Sequence, residues 1–310
     1  MAIDDTTRPP LPRDDQNASR ERARALDAQL GDVEWAMPPA GARREWFDAP
    51  SGRLAVLAFG DPLHERIVLV PGVTGSKEDF ALVGPLLADQ GYFVQSYDLA
   101  GQYESADAGP PPGSHYGYDL FERDLAAFLQ SGEPAHLLGY SFAGIIAQAV
   151  TVAHPSLVRT LTLLTTPPDP GQAFRTIRWI GPLSRMADGR RGAALMIWGI
   201  VTNKNRVQPN RLRFVRDRFA LTRRSSVDDV VDLMMRTPDL RSALRAAGIP
   251  TLVATGTHDL WPVRRHARFA TQIGARLAVY RTGHSPCETA PHELTLDMLE
   301  LFARARPETS

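Results

Sequence analysis

Cysteine is nearly absent: Cys287 is the only one in 310 residues. No internal disulfide can form, so nothing in the sequence demands an oxidising compartment. Long apolar runs are missing too. The longest, such as Ala193 to Val201, fall well short of the roughly 20 residues that a membrane-spanning helix needs, so no stable membrane insertion is expected. The opening stretch MAIDDTTRPPLPRDDQ is polar and has no apolar core of the kind a secretory signal requires. An excess of one charge is also lacking, because 35 basic residues stand against 35 acidic ones. The whole chain therefore has no field for nucleic acid or a membrane surface, and neither is expected as a partner. No His/Cys/Asp cluster has metal-ligand spacing, and no GxGxxG follows a first strand, so no metal and no cofactor is expected. A cytoplasmic location is the default reading.

What remains is an ordinary globular composition, 43% hydrophobic and 23% charged. Residues 1–43 read as a flexible N-terminal arm, with a short helix over Arg20 to Leu30. From Arg44 the pattern becomes regular. REWFDA and RLAVLAFG, separated by Pro50-Ser51-Gly52, predict an antiparallel hairpin. The apolar run at 66–70 suits a strand buried on both faces. Helices are predicted at 78–90, 118–130, 142–154, 264–273 and 291–305. They alternate with strands at 92–97, 136–139, 157–165, 251–256 and 276–280. This alternation predicts an α/β fold, with a mostly parallel, doubly wound sheet and helices on both faces. The rhythm breaks over 167–248, where helical patterns occur without a strand. The predicted organisation is thus a core of 44–166 and 249–310, interrupted by a helical cap at 167–248, over the strand ends where ligands bind in such sheets.

Gly139-Tyr140-Ser141-Phe142-Ala143-Gly144 joins a predicted strand to a predicted helix. A nucleophile on that strained turn needs small residues two before and two after it, here Gly139 and Ala143. The bland alternative, a serine that merely caps a helix, lacks a reason for that flanking pattern. The segment resembles the nucleophile elbow of the α/β-hydrolase superfamily, and the resemblance extends over residues 44–306. It implies a chain order of nucleophile, acid and histidine. Gly256-Thr257-His258-Asp259 follows one late strand and Gly283-His284-Ser285-Pro286 follows the next. The implied triad is therefore Ser141, Asp259 and His284, with Asp169 as an alternative acid. His284 would act as general base and acid, and Asp259 would orient it. The resemblance also implies an oxyanion hole from the backbone N–H groups of Val73 and Phe142. Its loop, Pro71-Gly72-Val73-Thr74-Gly75-Ser76, has Pro71 where the family usually has His. Asp98-Leu99-Ala100-Gly101-Gln102-Tyr103-Glu104-Ser105 corresponds to the family's Asp-x-Pro-Gly-His-Gly-x-Ser, without the Pro and His.

The expected activity is hydrolysis of a carboxylic ester, thioester or lactone through an acyl-enzyme on Ser141, with a small-molecule acyl substrate. Tyr103, Trp179 and Trp198 are candidates for the substrate pocket. Three other functions compete with this one. A lyase like the menaquinone-pathway enzyme would have Arg soon after its Gly-x-Ser-x-Gly-Gly run, and Ile145 stands there. A cofactor-free haloperoxidase or perhydrolase would use the same triad. A non-catalytic binding module would usually lose one of its members. Dehalogenase, epoxide-hydrolase and dienelactone-hydrolase mechanisms are disfavoured, because residue 141 is neither Asp nor Cys. The segment 167–248 holds fifteen Arg, one Lys and seven Asp, a surplus of nine positive charges. A solvated basic face is the simple reading, and a clamp for an anionic substrate is the sharper one. A homodimer is left open.

Overall fold

The computed structural model describes residues 13–176 and 207–305. Its centre is one eight-stranded sheet in the order β1-β2-β4-β3-β5-β6-β7-β8. The strands are β1 (Arg43–Ala49), β2 (Gly52–Phe59), β3 (Glu65–Val70), β4 (Tyr92–Tyr97), β5 (Ala135–Tyr140), β6 (Val158–Leu164), β7 (Thr251–Gly256) and β8 (Arg276–Tyr280). Strand β2 pairs antiparallel with both β1 and β4, and every other pairing is parallel. The predicted hairpin forms with Ala49 opposite Gly52, so that Pro50 and Ser51 make the turn. This is the α/β-hydrolase fold that the resemblance implied.

The apolar run in β3 is explained by the two cores it serves. Val68 and Val70 face one cluster, built with α3 (Tyr118–Gln130), α4 (Phe142–Ala153) and α8 (Val263–Ile273). Ile67 and Leu69 face the other, built with α2 (Val83–Ala88) and α10 (Pro291–Ala305). A strand buried on both faces cannot alternate apolar with polar, and it does not.

The single helix predicted over 78–90 is two pieces, a 3₁₀ turn at Lys77–Phe80 and then α2. Pro85 accounts for the break. Inside one continuous helix its ring would clash with the carbonyl of Ala81 and its missing N–H would lose a bond, whereas in the first turn of α2 neither cost arises.

The N-terminal helix α1 begins earlier than predicted and spans Arg13–Asp27. It lies on α10, where Arg20 pairs with Asp297 and Glu300, and Arg24 pairs with Glu293. Asp27 accepts bonds from the backbone of His292 and Glu293 at the start of α10. Past α1, Trp35 is buried against Ala81 and Phe214.

Between β6 and β7, the described residues form a 3₁₀ turn at Ala173–Thr176 and helices α5 (Pro209–Leu221), α6 (Arg224–Met234) and α7 (Arg241–Ala247). One isolated antiparallel bridge links Gly171 to Thr237. Among the described residues no helix is long and apolar enough to cross a membrane.

Candidate active site

The carboxyl ends of four of the parallel strands supply the site, with β6 lying between β5 and β7. The loop after β3 carries Val73, the turn after β5 carries Ser141, the loop after β7 carries Asp259, and the loop after β8 carries His284. Ser141 has φ 53° and ψ −118°, a region that costs a non-glycine residue on the order of 1–3 kcal/mol. The surrounding packing enforces it. A Cβ on Gly144 would lie 1.8 Å from Thr166 Oγ1, and one on Gly72 would lie 2.9 Å from Ser141 Cβ. Only glycine at those two places lets the following strand and the β3 loop close on the nucleophile.

His284 Nε2 is 3.1 Å from Ser141 Oγ, and its Nδ1 is 2.5 Å from Asp259 Oδ1. An ionised carboxylate only accepts hydrogen bonds, so Nδ1 carries the proton and Nε2 offers its lone pair to the serine. Burial on its own would raise the pKa of Asp259. The positive charge that His284 can carry, with hydrogen bonds from His266 and His284, outweighs burial and holds the carboxyl at about 2. The His284 loop is also fixed through its main chain. Thr165 Oγ1 donates to the His284 carbonyl at 2.9 Å, and Ser285 Oγ bonds Tyr140 OH at 2.8 Å, next to the nucleophile.

The N–H of Phe142 opens α4 and has no carbonyl four residues back within the helix to receive it. Gly72 packs directly on Ser141, which brings the Val73 loop to the same place. That loop is pinned at several points. Thr74 has φ 62° and donates its N–H to Gln102 Oε1 at 2.7 Å. Gly75 N–H donates to the Gly72 carbonyl at 3.0 Å. Gln102 thus stands where the family usually has His, and it holds the loop by its side chain. Val73 itself packs beneath Val227 and Val231 of α6.

Several described arginines between β6 and β7 are tied to acids of the chain. Arg211 of α5 bonds Asp79 at 2.7 Å and both oxygens of Glu288, at 2.6 and 3.0 Å. Arg218, two turns further along the same face, bonds Asp79 Oδ1 at 2.7 Å and Ser76 Oγ at 3.1 Å. These groups are buried, and they clasp α5 to the β3 loop and to α9 (Pro286–Thr289), just beyond His284. Burial opposes the charge on Asp79, but the two guanidinium groups prevail and lower its pKa. Arg213, Arg223 and Arg224 sit on the surface against Glu34, Asp107 and Asp228. The clasp and the surface pairs supply an ordinary structural account of this arginine-rich stretch.

Among the other candidates, Tyr103 has φ 46° at the position of a family glycine. Its ring packs on Phe214 at 5.7 Å and under Lys77 Nζ at 4.8 Å, and its N–H donates to Thr222. Those contacts brace α5 and do not involve Ser141, Asp259 or His284. Asp169 pairs with Arg265 at 2.5 Å, while His284 takes Asp259. Cys287 is buried, and burial pushes its thiol well above the ordinary range. Trp179 and Trp198 lie outside the described residues. Among those residues no group of three or more His, Cys, Asp or Glu gathers as for a metal ion.

Sequence reasoning missed two neighbours of the triad. His266 Nε2 is 2.8 Å from Asp259 Oδ2. Trp261 is buried with its ring 5.7 Å from His284 and 6.4 Å from His266, and its Nε1 donates to the Ala173 carbonyl at 2.8 Å. His266 is seven residues from Asp259, on the next helix, a spacing that belongs to no nucleophile-elbow motif.

The fold and the arrangement of these side chains are those of the α/β-hydrolase class, and the comparisons place the chain in that family. The model of the alpha/beta hydrolase family matches residues 67–297, and the chain belongs to that family. An AB hydrolase superfamily protein of Gibberella zeae is 33% identical over 104 residues, which is 33% of this chain and 35% of that protein. Bifunctional epoxide hydrolase 2 of Rattus norvegicus is 27% identical over 162 residues, 51% of this chain and 28% of the relative. The matches therefore span about a third of each curated relative or less. Among solved structures, the enol-lactonase of Burkholderia xenovorans LB400 superposes with a TM-score of 0.66 at 18% identity, over 83% of this chain and 99% of that one.

Proposed function

We propose that this protein hydrolyses a carboxylic ester, or a related thioester or lactone, through an acyl-enzyme on Ser141. The observation that carries the proposal is the unbroken chain of bonds from Ser141 Oγ through His284 to Asp259, ending on a serine held at positive φ. In the first step His284 Nε2 takes the hydroxyl proton as Ser141 Oγ attacks the carbonyl carbon. The imidazolium that forms is stabilised by Asp259, which remains ionised. The new oxyanion accepts hydrogen bonds from the N–H groups of Phe142 and Val73, each such donor being worth roughly 3 kcal/mol in comparable sites. His284 then returns the proton to the leaving oxygen or sulfur. Water, deprotonated by the same histidine, attacks the acyl-enzyme and releases the acid.

The similarity to an enol-lactonase supports this reading at the level of fold. The partial match to an epoxide hydrolase does not extend it to epoxides, because the nucleophile position holds Ser. A small-molecule acyl substrate is the proposed partner. Surface arginines paired with acids give no ground to assign it a negative charge.

The test is labelling with a fluorophosphonate probe, with the adduct mapped by mass spectrometry, alongside turnover of p-nitrophenyl esters of increasing chain length. Labelling at Ser141 and ester turnover that both vanish in Ser141→Ala are expected. The nucleophile acts as a unit with its base, so the loss should be on the order of 10⁶-fold in kcat. Ester turnover that survives the substitution would overturn the mechanism.

A further inference from the structure

We infer that His266 is a positioning residue for the triad: a neutral second histidine that fixes Asp259 so that one carboxylate oxygen is reserved for His284. The inference rests on the proposed acyl-enzyme reading for its catalytic meaning and on geometry for its assignment.

Asp259 accepts four hydrogen bonds. Oδ1 receives His284 Nδ1 at 2.5 Å and the N–H of Leu260 at 2.7 Å. Oδ2 receives His266 Nε2 at 2.8 Å and Thr255 Oγ1 at 3.2 Å. The two histidines therefore bind opposite oxygens, and they come from different elements, one from the loop after β8 and one from α8. A carboxylate free to turn about its Cβ–Cγ bond would offer His284 a varying acceptor. A donor fixed to a helix on the far oxygen removes that freedom, and His266 is fully buried on its helix.

The protonation state of His266 follows from its surroundings. Asp259 only accepts, so the Nε2 nitrogen carries a proton. The Nδ1 nitrogen is buried and has no hydrogen-bond partner among the described residues. A proton there would leave a buried, charged donor unpaired, a costly arrangement, whereas a bare lone pair costs much less. Asp259 attracts positive charge to the ring, but the Nε2 proton already meets that carboxylate and a second proton on Nδ1 would face away from it. Trp261 presents only its ring, Thr255 is neutral, and Arg265, next along α8, is paired with Asp169. His266 is thus neutral, and this matters for catalysis. A second cation on Asp259 would compete with the imidazolium of His284 for the same negative charge. A neutral donor orients the carboxylate and leaves its charge for the transition state.

The experiment pairs His266→Ala with His266→Gln, whose amide nitrogen reaches about as far as Nε2. In the alanine variant kcat should fall roughly 10- to 100-fold with KM little changed, the scale expected of a misplaced catalytic group. The glutamine variant should recover most of that loss. The low-field proton resonance of the His284–Asp259 bond should move or broaden in His266→Ala and persist in His266→Gln. Nitrogen-15 spectra of wild-type protein should show His266 protonated at Nε2 and bare at Nδ1 across neutral pH, a measurement that needs no variant to fold. A folded alanine variant with unchanged kcat, an equal loss in both variants, or a His266 protonated at Nδ1 would overturn the inference. Failure of the acyl-enzyme reading is separable. Ser141→Ala leaves the Asp259 bonds in place, so survival of ester turnover there would sink that reading while the resonances still reported on His266.

Discussion

Replacing Arg211 with Met tests whether the buried clasp holds α5 to the β3 loop and to α9. Arg211 and its partners Asp79 and Glu288 have side chains only 7%, 2% and 10% exposed. Removing the cation leaves Glu288 buried and without its guanidinium, and leaves Asp79 with Arg218 alone. Breaking a buried pair in this way costs roughly 3–5 kcal/mol. At ~2 °C per kcal/mol for a chain of this size, Tm should fall by about 6–10 °C. Arg224→Met is the matched control, because the Arg224–Asp228 bond is also 2.7 Å but its arginine is 52% exposed. That pair should be worth under about 0.5 kcal/mol. Equal distance and unequal burial thus predict unequal costs. Urea denaturation of Arg211→Met, Glu288→Gln and the double variant completes a cycle. Neutralising Glu288 removes the stranded charge, so the double variant should be more stable than Arg211→Met by at least ~1 kcal/mol. Burial already raises the Glu288 carboxyl. A carboxyl raised on folding costs stability above its unfolded value, so the Arg211→Met deficit should shrink as pH falls toward 5. A cost below 1 kcal/mol, or no recovery in the double variant, would refute the reasoning.

Three further outcomes are expected. Asp124 is buried beneath the β1–β2 turn, where burial, restrained by bonds from Ser51, pushes its carboxyl up to about 6. With an unfolded value near ~3.9, its charge costs the folded state increasingly as pH rises from about 4 to 6, reaching roughly 3 kcal/mol above that window. Asp124→Asn should therefore gain relative to wild type over that range in pH-dependent denaturation, and a constant difference from pH 4 to 7 would count against the assignment. Gly72→Ala puts a methyl 2.9 Å from Ser141 Cβ and 3.2 Å from the Tyr140 carbonyl. It should slow fluorophosphonate labelling at least ~10-fold by displacing the oxyanion loop, and unchanged labelling would argue against Val73 as a donor. Trp35→Ala removes a ring that lies 4.5 Å beneath the Arg211 guanidinium and is 6% exposed, and it should cost roughly 3 kcal/mol or more. Leu63→Ala, at a residue 92% exposed, should stay within about 0.5 kcal/mol, and comparable losses in the two variants would contradict the packing described.

The cluster of Ser141, Asp259 and His284, proposed here as a triad, was suggested by the sequence because each residue follows a strand end, and strand ends are marked by local signals. Gly139 and Ala143 flank Ser141, and a Gly-His pair closes the last strand. The sheet was legible for the same reason, since apolar runs such as 66–70 report burial on both faces. The partners of Arg211 and Arg218 were not legible. Asp79 lies more than 130 residues away, and nothing local distinguishes those two arginines from their exposed neighbours. His266 was equally silent, because a histidine on an amphipathic helix is ordinary until the fold turns it toward Asp259. The break at Ala81 is written in Pro85, although the amphipathic pattern over 78–90 runs straight through it.

The pairing of α1 with α10 has a consequence for how the chain assembles. Arg24 and Glu293 are 269 residues apart, so α1 binds a helix that is made much later. At ~5–20 residues per second of synthesis, α1 waits on the order of tens of seconds for its partner. An amphipathic helix with a broad apolar stripe would spend that delay as an aggregation hazard. Helix α1, with the sequence RDDQNASRERARALD, is mostly polar and is held through arginine–carboxylate bonds. Water satisfies those groups during the wait, and the late docking is governed by ionic strength more than by apolar collapse.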